Sequence, residues 1–337
     1  MKTWRSILIV VVSLMVAACM SIDEDLSDCR NNYRLSYNVT LRTNLVTQLR
    51  TVLRERFEND VADLLEDSLN HIFREFAHDV DLSFYTGGIR SFHDSHIMDA
   101  GQATYNLVLP MNNYRHLAIA NLADEEEVDL TLPQREATSY LSQVEGDTIR
   151  GHNTGLFTAR ENMDVLEDQD QDFYVSLYMV NCASILVVRT DNVSYRDMQV
   201  YSTDFADGFF VNDSLYTHHS NPVVHDFRVT EPPVEREVYY AVTFPSCDTA
   251  EEAQALPTRA GETGATDDER IWRKFIYVTL PDGSVTRTVI NVRMPLEAGQ
   301  VMIIYAYLRG DGSVYSPNVE VGTSVTLDWK DGLIIGG

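Results

Sequence analysis

The sequence is poor in basic charge: Lys and Arg total 26 against 51 Asp and Glu, a formal net charge of −25 at pH 7. A phosphate-binding face needs clustered cations, so nucleic acid is excluded as a partner, and so is a polybasic grip on a membrane. Cysteine is scarce too. The four present form no Cys-x-x-Cys pair, which excludes a zinc ribbon or a dithiol redox centre. The apolar run Ile7 to Val16 falls short of the roughly 20 residues a spanning helix needs. The chain also lacks a Gly-x-Ser-x-Gly elbow, a His-Glu-x-x-His pair and a Gly-rich phosphate loop. It therefore reads as a non-enzyme with no metal and no dissociable cofactor.

What is present begins at the N-terminus. Lys2 and Arg5 precede the apolar run, which ends in Val16-Ala17-Ala18-Cys19. A basic start, a short apolar stretch and small residues before a cleavage point make a secretory signal peptide. Cysteine at the first mature position makes it a bacterial lipoprotein signal, cut between Ala18 and Cys19, with Cys19 acylated. Residues 1–18 are then removed and residues 19–32 form a lipidated tether. Several acyl chains hold firmly where one holds weakly, so the covalent lipid on Cys19 anchors the exported chain. The acidic residues just past it resemble the surface-export signals of outer-membrane lipoproteins. Cys29, Cys182 and Cys247 remain, enough for one intramolecular pair. Cys182–Cys247 is the favoured pair because both fall in the second half; the connectivity stays open.

Tyr33 to Leu41 alternates apolar and polar residues, the pattern of a half-buried strand. The period then changes. Apolar residues from Leu45 to Phe76 recur at spacings of three and four, which predicts a helical segment over 45–77. Strands follow at Val80–Tyr85, Ala103–Leu109 and Tyr114–Asn121. The run Glu161 to Asp172 is acidic and nearly devoid of apolar residues, and reads as a linker. It divides an N-terminal domain, 33–165, from a C-terminal domain, 166–337. Phe173 to Val188 reads as one long central strand. Pro281-Asp282-Gly283-Ser284 and Gly310-Asp311-Gly312 each close a hairpin, and Thr323 to Trp329 is a last strand. The fold class is mainly β: two β-sandwich domains, with a helical insertion after the first strand of the first.

Several clusters invite chemistry. His93 and His96, with Asp94 and Asp99, offer metal-ligand types but no complete set, so a polar loop is the simpler reading. His218-His219 are neighbours that point to opposite faces of a strand. Asp168 to Asp172 alternates carboxylates like a calcium loop, yet lacks the Gly and the distal Glu. Arg309-Gly310-Asp311 is an adhesion tripeptide at an expected hairpin tip, where turn chemistry suffices to explain it. Trp272 and Trp329 could stack on sugars or fill the core.

The opening of the mature chain carries a resemblance. A lipidated Cys19, an acidic stretch ending Asp25-Leu26-Ser27-Asp28-Cys29, and a first strand from Tyr33 resemble the fimbrillin-associated anchor and minor-subunit family of Bacteroidetes type V pili. The resemblance implies two transthyretin-like sandwiches and a place at the fimbrium. It implies fimbrial shaft or accessory subunits as partners, bound by β-strand addition. In related subunits that polymerise, cleavage after an arginine releases the first strand; Arg42 occupies that position here. An anchor keeps its first strand. The rival expectation is a tip adhesin gripping a host protein or glycan. The helical stretch matches no motif of the family.

Overall fold

The computed structural model describes residues 32–42, 61, 63–65, 69, 77–97, 104–144, 146, 148–166, 170–230, 232, 234–257, 269–317 and 321–326. Ala18, Cys19, Cys29 and most of the stretch 45–77 lie outside the described residues. Within that stretch Val61, Asp63, Leu64, Leu65 and Leu69 are helical. Val61, Leu65 and Leu69 are buried at a spacing of four, one face of a helix.

The chain is mainly β. It runs through Asn32–Arg42 (β1), Asp79–Thr86 (β2), Ile89–Ile97 (β3), Thr104–Pro110 (β4), Asn112–Ala120 (β5) and Val128–Thr131 (β6). Tyr140–Gln143 (β7), Thr148–Arg150 (β8), Phe157–Val165 (β9), Gln171–Met179 (β10), Cys182–Arg189 (β11) and Asp197–Thr203 (β12) follow. Then come Gly208–Phe210 (β13), Leu215–Thr217 (β14), Val223–His225 (β15), Phe227–Arg228 (β16) and Arg236–Thr243 (β17). A short helix, Ala250–Ala255 (α1), is capped by the Thr249 hydroxyl, which accepts from Glu252 N. Trp272–Thr279 (β18), Val285–Val292 (β19), Val301–Leu308 (β20), Val314–Tyr315 (β21) and Val321–Thr326 (β22) complete the order.

These strands form four sheets. The seven-stranded sheet has the order β3-β2-β5-β9-β10-β1-β4, and a four-stranded sheet has the order β14-β13-β7-β6. Tyr85, Leu117 and Ile119 from the first meet Leu141 and Phe209 from the second. The other pair is β16-β17-β11-β20-β21 and β22-β19-β18-β12-β15-β8. Leu186 and Ile304 from the five-stranded sheet meet Val200, Ile276 and Ile290 from the six-stranded one. The opposite face of β11, with Ala183, Ile185 and Val187, joins the largest core together with Leu82, Phe84, Leu65 and Leu69. Burial on both faces explains why β11 is apolar almost throughout.

Two expectations are corrected. The boundary at 165/166 falls between β9 and β10, which are antiparallel neighbours in one sheet. The described acidic residues there, Glu161, Asp164, Asp170 and Asp172, are exposed, while β10 alternates more exposed and more buried positions and β9 buries Met163 and Val165. The chain also interleaves the two halves. β13 from the second half pairs with β7, and β8 from the first pairs with β15. The run Phe173 to Val188 is two strands, β10 and β11, in different sheets. Buried Asn181 stands at the crossing. Its Oδ1 accepts from Leu156 N at 3.0 Å, its Nδ2 donates to Thr154 O at 3.0 Å, and its carbonyl accepts from Gly299 N at 2.8 Å. Asn181 thereby ties the crossing to the Thr154–Leu156 segment and to Gly299.

The hairpins are found where their turns predict them. Gly283 has φ +90° and its N donates to Leu280 O at 2.9 Å; Gly312 has φ +79° and its N donates to Arg309 O at 2.9 Å.

Candidate functional site

β1 is an inner strand with two different neighbours. It runs parallel to β10, Leu35 opposite Gln171 through Arg42 opposite Tyr178. On its other side it runs antiparallel to β4, Asn32 opposite Pro110 through Asn38 opposite Thr104. Leu35 and Tyr37 are fully buried. Asn38 spans both neighbours: its Nδ2 donates to Phe173 O at 3.3 Å and its Oδ1 accepts from Thr104 Oγ1 at 2.8 Å. Arg42, the expected cleavage position, is the last residue of β1. Removal of this strand would open a groove between β10 and β4 and uncover its apolar floor.

Tyr37 reaches beyond its sheet neighbours to His116 on β5, with 2.5 Å between Oη and Nε2. His116 Nδ1 lies 3.2 Å from the Ser83 carbonyl, which can only accept, so the ring proton sits on Nδ1 and Tyr37 donates to Nε2. The imidazole also stacks on Phe84, centroids 4.2 Å apart. Burial pushes His116 down to about 3, despite the Ser83 bond acting the other way. Tyr37 is pushed up, first by burial and then by the charge of Glu161. The sequence expectation passed over this pair. A lone histidine in phase with inward Tyr114, Ala118 and Ala120 was the legible sign.

β3 and β4 are the two edges of the seven-stranded sheet, yet they meet through side chains. The Tyr105 hydroxyl contacts the Asp94 carboxylate, and its ring lies 4.4 Å from the His96 ring. The sheet is therefore strongly curled. Ile97 on β3 and Val108 on β4 are exposed along these edges, as is Met111 beyond β4. On β10, Tyr174 and Tyr178 are 79% and 62% exposed, an aromatic surface on an otherwise polar sheet face. Tyr178 borders a cavity of about 360 Å³ that Arg160, Glu161, Ser176, Ser214 and Tyr216 also line. Rings beside a guanidinium and a carboxylate suit a ligand with both apolar faces and hydroxyls.

The remaining expected residues are placed as follows. His93 Nε2 lies 2.8 Å from Asp81 Oδ2, while His96 turns to Tyr105. Among the described residues no cluster of three His, Cys, Asp or Glu is arranged to hold a metal ion. Asp168 and Asp99 lie outside the described residues, as does Trp329. Trp272 is core, its Nε1 donating to Met294 O at 3.0 Å. Arg309, Gly310 and Asp311 sit exposed between β20 and β21. The Asp311 carboxylate is engaged inside the turn, where Oδ1 accepts from Ser313 N at 2.9 Å and Ser313 Oγ at 2.6 Å. These bonds hold its carboxyl below the usual range. In place of the expected Cys182–Cys247 bridge, both are free, buried thiols. Cys182 Sγ lies 3.5 Å from Thr243 O and from Phe244 O, turned to the neighbouring backbone. Burial pushes both thiols up to about 12.

No family model matches the sequence, and no curated protein sequence matches it either. Solved structures do. A candidate adhesin from Bacteroides ovatus is similar with a TM-score of 0.49 at 11% identity, over 93% of this chain and 98% of that one. The fimbrial anchor protein Mfa2 from Porphyromonas gingivalis gives 0.48 at 8%, over 88% and 99%. The tip fimbrial protein Mfa3 from the same organism, truncated at its C-terminus, gives 0.42 at 10%, over 88% and 100%. Fimbrial anchor, tip and adhesin proteins are thus among its structural neighbours. At this degree of likeness the functional reading rests on the chain's own residues.

Proposed function

We propose that this chain is a non-catalytic, lipid-anchored minor fimbrial subunit that tethers or caps a type V pilus at the outer membrane. The acyl group on Cys19 is its covalent anchor, and residues 19–32 link that anchor to β1. Shaft or accessory subunits are its partners, bound by β-strand addition. The observation that carries this reading is the seat of β1. An extended segment close behind the tether lies between β10 and β4, buries Leu35 and Tyr37, and is pinned to His116. A strand so held is suited to staying in place, as an anchor requires. The exposed Ile97, Val108 and Met111 give an apolar surface that a partner subunit could cover.

N-terminal mapping of the mature surface protein tests this. The reading expects a lipidated Cys19 followed by intact β1. A mature chain starting after Arg42 would instead make it a cleaved, shaft-type subunit.

A second reading, a tip adhesin that binds a host protein or glycan, draws on exposed Tyr174 and Tyr178 beside the Arg160–Glu161 cavity.

A further inference from the structure

The core between the six-stranded and five-stranded sheets encloses a lysine. Lys274 lies on β18 in phase with Trp272, Ile276 and Val278, and it is 0% exposed. Its Nζ contacts the Asp226 carboxylate and donates to Ser202 Oγ at 2.8 Å and Ser184 Oγ at 3.0 Å. Asp226 is also buried. It stands between β15 and β16, where the chain passes from the six-stranded sheet to the five-stranded one. Its backbone N donates to Val200 O at 2.9 Å. Ser202 completes the cluster, because its Oγ donates to Asp226 Oδ1 at 2.7 Å while accepting from Lys274. One hydroxyl thus touches both the amine and the carboxyl.

A buried ion pair is a poor source of stability, since desolvation cancels most of its attraction and apolar residues of similar size do as well or better. An amine held against a carboxyl in a dry interior is, however, the reactant pair for an amide. We propose that Lys274 and Asp226 are joined by an intramolecular isopeptide bond. The Lys274 ammonium first passes a proton to the Asp226 carboxylate across their direct contact, leaving a neutral amine beside a carboxylic acid. The Nζ lone pair then adds to Asp226 Cγ. Ser202 takes the proton leaving nitrogen and supplies one to the departing hydroxyl. The Nζ–Cγ bond forms, the Cγ–O bond breaks and one water leaves, with no oxidant or other reactant required.

Three observations favour the step. Burial holds the Lys274 amine below its usual range, although Asp226 opposes the shift, and this favours the neutral nucleophile. Fixing the two groups in contact replaces an encounter with an intramolecular reaction, for which effective concentrations reach about 10⁵–10⁸ M. Asp226 also lines a cavity of about 420 Å³ with Gln199, His225 and Arg228, which gives the released water somewhere to go. The product ties β18 covalently to the crossing between the two sheets. That tie is independent of the fimbrial reading.

Peptide mapping of the denatured, purified mature protein tests the proposal. The expected product is a branched peptide joining the segments that contain Lys274 and Asp226, lighter than their sum by one water. Lys274→Met and Asp226→Ala should each return the partner segment as an unmodified linear peptide. Ser202→Ala keeps both reactants and should leave a mixture of branched and linear peptides. Either of the first two variants can fail to fold, so the wild-type map decides alone. Two linear wild-type peptides overturn the proposal. So does a water loss located at an Asp-Gly pair such as Asp282-Gly283 or Asp311-Gly312, where a succinimide forms instead.

Discussion

Tyr37 donates to His116 across the interior of the curled seven-stranded sheet, joining β1 to a strand that is not its hydrogen-bonded neighbour. β1 is thus held by two backbone ladders, by the buried side chains of Leu35 and Tyr37 and by this buried polar bond. Under the proposed function an anchor keeps this strand, and this bond is one of the contacts that would hold it.

Tyr37→Phe keeps the ring and strands His116 Nε2 without its donor. Leaving a buried acceptor unsatisfied costs about 1–3 kcal/mol. Urea unfolding should show that loss. The double variant Tyr37→Phe/His116→Phe, which removes both polar partners, should cost less than the two single changes added together.

His116 also sets an acid dependence. Unfolded, it titrates near its ordinary 6.5; folded, burial holds it at about 3. Between those values the unfolded chain binds the extra proton. Stability from this group is full above 6.5 and is lost as pH falls toward 3, by up to about 1.4 kcal/mol per pH unit. His152 is also buried and also held at about 3, so it acts in the same sense. Denaturant unfolding from pH 7 to pH 4 should therefore show a shallower acid slope in His116→Gln than in the wild type. Equal slopes would contradict the assignment.

Asp204 is the second buried charge centre of the C-terminal half. It accepts from Arg273 Nε at 2.7 Å, Arg273 Nη2 at 3.0 Å and Arg270 Nη1 at 3.0 Å, with no exposure of its own. Asp204→Ala removes the carboxylate from a largely buried guanidinium. Breaking a buried pair on one side costs about 3–5 kcal/mol, which chemical denaturation can measure.

The two Asp-Gly-Ser turns give a graded test. At Gly283 an added Cβ meets only Arg196 Nη1 at 3.9 Å, so Gly283→Ala pays the left-handed backbone penalty of about 1–2 kcal/mol. At Gly312 the Cβ falls 2.8 Å from Thr286 Oγ1, whose hydroxyl is already bound to Asp311 O at 2.7 Å. Gly312→Ala should lower the melting temperature more than Gly283→Ala does.

The local features were legible in the sequence for a physical reason. Alternation marked β1, and Asp282-Gly283 and Asp311-Gly312 marked hairpins because a tight turn of this kind needs a left-handed residue, which glycine supplies. Non-local pairing left no such mark. Nothing near Tyr37 or Phe173 announces that their strands lie parallel, side by side. The crossing at Asn181 escaped notice because both flanking strands are apolar and no Gly or Pro separates them. The boundary near 165 was misplaced because the exposed acidic residues of two paired strands, Glu161, Asp164 and Asp172, have the composition of a linker. Lys274 was visible as the one charged residue in phase with Trp272, Ile276 and Val278, but its partner Asp226 is 48 positions away.

The central claim is that this subunit binds a fimbrial shaft protein while held to the membrane by Cys19. Co-purification from outer membranes of the native organism tests it most directly, with the wild type and Cys19→Ala compared by mass spectrometry. The account predicts that a shaft pilin is recovered with the wild type and is shed from cells carrying Cys19→Ala. Recovery of no pilin with either form, and of a host protein or glycan with both, would contradict the anchor and establish the adhesin.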